Sequence, residues 1–168
     1  ILGAGMMGAG IAHVTAMAGL EVVLLDSTQD AADKGKSYSE GLLNKAISRK
    51  RMTEEKRDGI LGLINPTTDY ADLAGCDMVI EAVFEDRVIK ADVTAKTEAV
   101  IAEDAIFASN TSTLPITGLA EASGRPANFI GLHFFSPVDK MPLVEIIMGE
   151  KTGDVALAPP MGFVKRIR

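Results

Sequence analysis

ILGAGMMGAG, residues 1–10, runs an apolar pair straight into glycines at positions 3, 5 and 8. Such an opening is either a flexible terminus or a phosphate-binding turn, and the residues that follow decide between them. Ile11, Val14, Met17 and Ala18 recur at helical spacing, and Gly19 stands where a helix stops. LEVVLLD, residues 20–26, is then short, apolar and β-branched, suited to a strand buried on both faces. Strand, tight turn, helix and strand within about thirty residues is the context a dinucleotide fingerprint requires. There the first glycine permits the turn, the second lets the backbone approach a pyrophosphate, and the third lets helix pack on strand. The helix N-terminus adds unpaired N–H groups and a partial positive charge.

Asp26 closes the second strand, 18 residues after Gly8. A carboxylate there can accept both hydroxyls of an adenosine ribose. The bland alternative is a turn residue capping the next helix. Asp26 would repel a 2′-phosphate, and Ser27, Thr28 and Gln29 offer no arginine to receive one, so NAD is expected over NADP.

Working outward, residues 29 to about 64 read as helical and heavily charged. Thr53 before Glu54 and Glu55 marks a fresh helix start, with a cap and acids facing the macrodipole. Two helices breaking near residues 50–52 are therefore expected, as a hairpin inserted after the second strand. DMVIEAV (77–83) and AIFASN (105–110) read as buried strands, residues 88–102 as a helix, and FIGLHFF and LVEIIMG as two further strands. A short helix in LPITGLAEAS tolerates Pro115 in its first turn. Alternating strands and helices with apolar strands predict an α/β, doubly wound, mostly parallel Rossmann-type sheet.

At 168 residues, 47% of them apolar, the chain is about one domain with ample core. A formal charge of −6 argues against nucleic acid or an anionic membrane surface as the main partner. Cys76 is the single cysteine, which excludes an internal disulfide framework and a multi-cysteine metal site. It has no flanking base and reads as inert. No apolar run approaches the length of a membrane span.

Several polar residues do not fit a plain core. In LVEII, Leu143, Glu145 and Ile147 share one strand face, and a carboxylate between apolar neighbours on a buried face needs a partner; the bland alternative is an edge strand with a solvated Glu. His133, in GLHFFSPV at the end of a strand, is the candidate of matching chemistry. A carboxylate holding one imidazole nitrogen leaves the other free as a base. His13, in the first helix, reads as structural. Ser109–Ser112 (SNTS) follows a strand at the carboxyl edge, where its hydroxyls and amide suit either a substrate oxygen or a turn and helix cap. Lys45, Arg49, Lys50 and Arg51 read as a solvated helix end, with a phosphate-bearing ligand as the lesser alternative.

GAGMMGAGIA, DMVIEAVFEDRVIK, FASNTSTLPI and GLHFFSPVDKMPLVEII, in that order, resemble the NAD-binding domain of L-3-hydroxyacyl-CoA dehydrogenases. HFFSPVDKM is most similar to the fused, multifunctional fatty-acid β-oxidation enzymes of the alpha-subunit type. The resemblance covers residues 1–152 as a Rossmann-type domain, with 153–168 the start of a linking segment. It implies oxidation of an L-3-hydroxyacyl-CoA to the 3-oxoacyl-CoA with NAD as hydride acceptor. By position it makes His133 the general base, Glu145 its orienting carboxylate, and Ser112 a donor to the reacting oxygen with Asn110 beside it. Gly3, Gly5, Met7 and Gly8 fall in the pyrophosphate turn and Asp26 at the ribose. Val83, Phe84, Glu85 and Lys90 fall where the next loop meets the cofactor. Ser136 replaces the family's usual Asn near the nicotinamide, with shorter reach.

The resemblance further implies an acyl-CoA thioester substrate, a cytoplasmic setting of the bacterial type, and an oligomeric full-length protein paired with a thiolase subunit. The family continues into a helical domain that closes the substrate cleft, and the chain stops before it. A clipped first strand and this stop both lead to the expectation of an excised piece that binds NADH and turns substrate over poorly. Pro159-Pro160 is expected to break the linking helix. The rival readings are a dehydrogenase of small hydroxy acids, which chiefly uses a catalytic Lys, and a non-catalytic dinucleotide-binding relative.

Overall fold

The computed structural model describes residues 1–167, with Arg168 outside them. Short apolar runs form the strands β1 (Val22–Leu25), β2 (Ile64–Thr67), β3 (Met78–Glu81), β4 (Ile106–Ser109), β5 (Phe129–Phe134) and β6 (Val144–Ile147). β1 pairs with β2, β3 with β4 and β4 with β5, all parallel, and β6 returns antiparallel to β5. Leu2 joins the two halves by parallel bridges to Leu25 and Glu81. Its N–H donates to Ile80 O at 2.9 Å, and its carbonyl accepts from Ala82 N at 2.8 Å. The residues ahead of the glycines are thus mid-sheet strand.

The helices are α1 (Met6–Met17), α2 (Gln29–Ser48), α3 (Glu54–Gly62), α4 (Arg87–Glu98), α5 (Ile116–Leu119) and α6 (Ala158–Ile167). Side-chain alternation sends Ile80, Ile106, Ala108, Ile130 and Leu132 to one face, under Ile11 and Val14 of α1. Val79, Phe107 and Phe129 take the other, against Val93 of α4 and Ile116 of α5. Helices on both faces of a mostly parallel sheet make the fold doubly wound, as expected. Phe107 and Phe129 stack with ring centres 5.2 Å apart, and truncating either fully buried ring costs about 3–5 kcal/mol.

The inserted hairpin forms, and Thr53 caps its second helix as expected. Thr28 Oγ1 accepts from Ala31 N at 3.2 Å to start α2, and Thr53 Oγ1 from Lys56 N at 3.2 Å to start α3. Leu43 and Ile60 then bury themselves against Ala12 and Ala16 of α1, which fixes the hairpin on the domain.

Three local expectations fail, each for a physical reason. Helix does not run to residue 64: α3 ends at Gly62, and Ile64–Thr67 forms β2. Pro66 hides this strand from propensity, yet it is tolerated because β2 is an edge strand paired only with β1. Pro159-Pro160 does not break α6: the helix begins at Ala158, so both prolines sit in its first turn, where the missing N–H groups need no helical partner. The face of β6 bearing Glu145 is the outer one. Leu143 is 53% and Ile147 38% exposed, whereas Val144 and Ile146 pack on the core.

Among the described residues no helix is long and apolar enough to cross a membrane. Nor do three or more His, Cys, Asp or Glu residues gather there to hold a metal ion.

Candidate functional site

The three glycines of the turn do different work. Gly3 has φ +85°, and a Cβ there would stand 2.8 Å from Ala82 O. A Cβ on Gly8 would come within 1.7 Å of Gly3 O, so helix and turn touch only because it is glycine. Gly5 is the opposite case: a Cβ would meet nothing within 4 Å. Its smallness serves no contact inside the chain and leaves open ground over the start of α1. That helix start carries no side-chain cap and no acid in its first turn, which suits an incoming pyrophosphate.

Asp26 does not cap α2, since Thr28 does. Its Oδ2 accepts from Ala4 N at 2.6 Å and its Oδ1 from Ser27 N at 2.6 Å. The capping alternative is thereby overturned: the carboxylate braces the glycine turn from the end of the neighbouring strand. Open helix start, bare Gly5 and half-buried Asp26 together fit a dinucleotide.

Beside the turn, at the carboxyl edge of the sheet, lies a cavity of about 330 Å³. Met7 reaches it from the first turn of α1, Val83 and Glu85 from the loop after β3, and Asn110 and Ser112 from the turn after β4. His133 and Ser136 reach it from the end of β5. Seven expected residues thus converge from four connections. Phe84, 82% exposed, and Lys90, 3% exposed, do not line it. A larger cavity of about 1010 Å³ opens beside Ile1, at the amino-terminal starts of β1 and β3. Open α/β sheets bind ligands at their carboxyl edge, so the smaller cavity is the candidate site.

His133 and Glu145 are direct partners in the β5–β6 register, with Nδ1 and Oε2 3.0 Å apart. The premise of a buried face was wrong and the pairing right: strand register, not burial, sets the contact. Asn110 Oδ1 accepts from Phe134 N at 2.8 Å, which ties the exit of β4 to the strand carrying His133 and leaves the amide NH₂ uncommitted by that bond. Ser136 Oγ lies 3.8 Å from Met6 Sδ.

Glu85 organises the turn that bears Ser112. Its Oε1 accepts from Ser112 N at 3.1 Å, Thr113 N at 3.2 Å and Thr113 Oγ1 at 3.1 Å, and from the Thr111 hydroxyl. Burial pushes this carboxyl up, but the bonds from Thr111, Lys90 and Thr113 and the Lys90 charge outweigh it and hold the pKa at about 2.

Sequence reasoning missed Glu81. It ends β3 at 1% exposure, and its two oxygens take Lys90 Nζ at 2.8 and 2.9 Å. Oε1 also accepts from the Ser109 hydroxyl and Oε2 from Val83 N at 3.2 Å. The signal was an acid closing the apolar run DMVI, nine residues before a lysine on the following helix.

Other singled-out residues stay apart from the cavity. His13 is buried, its pKa lowered by that burial, and its Nδ1 has no hydrogen-bond partner among the described residues. Lys45, Arg49, Lys50 and Arg51 are all exposed at the tip of the hairpin. Burial pushes the Cys76 thiol up, consistent with an unreactive side chain.

A family profile described as 3-hydroxyacyl-CoA dehydrogenase, NAD binding domain, matches residues 1–168. The chain belongs to this family and is an NAD-binding domain of the Rossmann type. It is 44% identical over 167 residues to the fatty acid oxidation complex subunit alpha of Pseudomonas paraeruginosa, covering 99% of the chain and 23% of that protein. Among solved structures it is similar to (S)-3-hydroxybutyryl-CoA dehydrogenase of Ralstonia eutropha, with TM-score 0.95, 39% identity and 99% and 59% of the two chains covered. It is also similar to 3-hydroxybutyryl-CoA dehydrogenase of Escherichia coli, with TM-score 0.95, 32% identity and 99% and 35% covered. The chain therefore spans less than a quarter of the curated relative's length and about a third to three fifths of the solved ones.

Proposed function

We propose that this chain is the cofactor half of a dehydrogenase that oxidises L-3-hydroxyacyl-CoA to 3-oxoacyl-CoA. The observation that carries this reading is the convergence of His133, Ser112 and Asn110 on one cavity beside the glycine turn, with Glu145 held 3.0 Å from His133. Gly3, Gly5, Gly8 and Asp26 would hold NAD, which would supply the acceptor for the hydride lost from C3. His133 takes the 3-hydroxyl proton at Nε2 as the C–H bond breaks and the carbonyl forms. Glu145 holds Nδ1, orienting the ring and offsetting the imidazolium charge. The Ser112 hydroxyl donates to the reacting oxygen, and Asn110 lies beside it at the substrate, its Oδ1 held by Phe134 N. Val83, Glu85, Met7 and Ser136 line the cofactor's approach.

The same reading places residues 1–152 as the nucleotide domain and 153–168 as the start of a linker. In the whole polypeptide a further domain would cover the substrate, and the protein would work in an oligomer alongside a thiolase subunit in the cytoplasm. Residues 1–168 taken alone span 23% of the curated relative's length; because substrate positioning is worth orders of magnitude in rate, they should bind NADH and turn substrate over slowly. Acetoacetyl-CoA reduction by NADH, followed in the full polypeptide and its His133→Gln variant, tests the assignment. A variant as fast as its parent would remove His133 as the base.

A further inference from the structure

Lys90 has three donors, and all three are engaged: Glu81 Oε1 at 2.8 Å, Glu81 Oε2 at 2.9 Å and Glu85 Oε2 at 3.1 Å. Its ammonium is 3% exposed. Every other ion pair among the described residues leaves at least one partner about a third or more exposed. Burying a carboxylate and an ammonium together is seldom the most stable solution, because apolar side chains of similar volume do as well or better. Stability alone therefore does not account for Glu81 and Lys90.

What the pair does reach is the site. Glu81 anchors the Ser109 hydroxyl, where β4 ends, and Val83 N, where the loop after β3 begins. Lys90 passes from Glu81 to Glu85, and Glu85 takes the backbone N–H groups of Ser112 and Thr113. A continuous run of charged hydrogen bonds thus links the core of the sheet to the turn that carries Ser112.

We propose that Glu81 is a positioning residue that, through Lys90 and Glu85, fixes the turn holding the Ser112 hydroxyl over the cavity, with Lys90 acting inside this clamp. The proposal deepens the dehydrogenase reading and rests on it for the purpose of Ser112.

The test reads amide hydrogen exchange in the cofactor-free chain, comparing the parent with Glu81→Gln and with a Glu81→Met/Lys90→Met double variant. A hydrogen bond to a charged group is lost when the clamp fails, so exchange at Ser112 and Thr113 should quicken by about tenfold or more in both variants. Ile130 and Leu132, in the core of β5, should be unchanged. The double variant, with an apolar pair in place of the ions, should melt at or above the parent's temperature yet keep the loosened turn. Retained protection at Ser112 and Thr113 in either variant would overturn the proposal. So would a double variant that fails to fold, which would make the pair a fold determinant instead. Because no cofactor is present, a failure of NADH to bind would count against the functional reading and leave this result standing. In the full polypeptide both variants should lower kcat more than they raise KM for acetoacetyl-CoA, whereas a purely structural pair would show the double variant restored to parent rates.

Discussion

His133 and Glu145 stand directly opposite one another in the β5–β6 register, Nδ1 to Oε2 3.0 Å, with the histidine 17% and the carboxylate 51% exposed. The backbone ladder sets this separation, so the histidine stays in place when the carboxylate is changed. Glu145→Gln in the full polypeptide should therefore leave the melting temperature nearly unchanged, as at other exposed positions, within about 0.5 kcal/mol. It should still lower kcat for acetoacetyl-CoA reduction by about 10²-fold, the lower end of what a positioned base contributes. Parent-like kcat would detach Glu145 from catalysis.

Gly5 and Gly8 separate cofactor binding from folding. Gly8→Ala drives a methyl into Gly3 O, which a backbone oxygen cannot evade, and should destabilise the chain by about 3 kcal/mol or more. Gly5→Ala meets open space at φ −65° and should leave stability equal or slightly higher. It should nonetheless weaken NADH binding, because the methyl occupies the ground over the start of α1. Urea denaturation paired with NADH titration checks both, and equal NADH affinity in Gly5→Ala would place the pyrophosphate elsewhere.

Asp26→Ala should reduce NADH affinity by about ten- to a hundredfold, the worth of hydrogen bonds to a charged group. It should reduce NADPH affinity less, because the repulsion of a 2′-phosphate disappears with the carboxylate. Competitive titration of the two cofactors measures the change in preference, and an unchanged ratio would contradict the ribose assignment.

Acid stability should carry the signature of Glu85. Its folded pKa of about 2 lies below its ordinary 4.5. The folded state is thus favoured by the ionised form: the contribution is complete above pH 4.5 and is lost as pH falls through about 2. Glu85→Gln should flatten the stability curve across that window in urea denaturation at stepped pH. His13, its pKa lowered by burial from 6.5, adds a separate loss that begins below its ordinary value and that Glu85→Gln leaves untouched. An identical slope between pH 4.5 and 2 in parent and variant would contradict the Glu85 network.

Much of this was legible in the chain because local and long-range signals agreed. Gly3, Gly5 and Gly8 could be told apart by motif before their surroundings were known, and Thr53 announced its helix, whereas the cap of α2 is Thr28 and not the Asp26 weighed for that role. The misreadings share a cause, namely that neighbours outrank propensity. Pro66 argues against a strand until β2 is placed at a sheet edge. Pro159-Pro160 argues against a helix until its start is placed at Ala158. The outer face of β6 looks core-like in alternation because Leu143 and Ile147 are apolar. Glu81 escaped notice because an acid at a strand end reads as a turn residue. Only the fold brings Lys90, one helical turn into α4, back over it, and only then do Ser109 and Glu85 become its neighbours.

Titrating the folded chain with NADH and following nicotinamide fluorescence asks whether the opening glycines, the start of α1 and Asp26 form a working NAD site. A saturable rise that NAD competes away and that Gly5→Ala weakens is expected. A chain that melts cooperatively yet gives no saturable signal would contradict it.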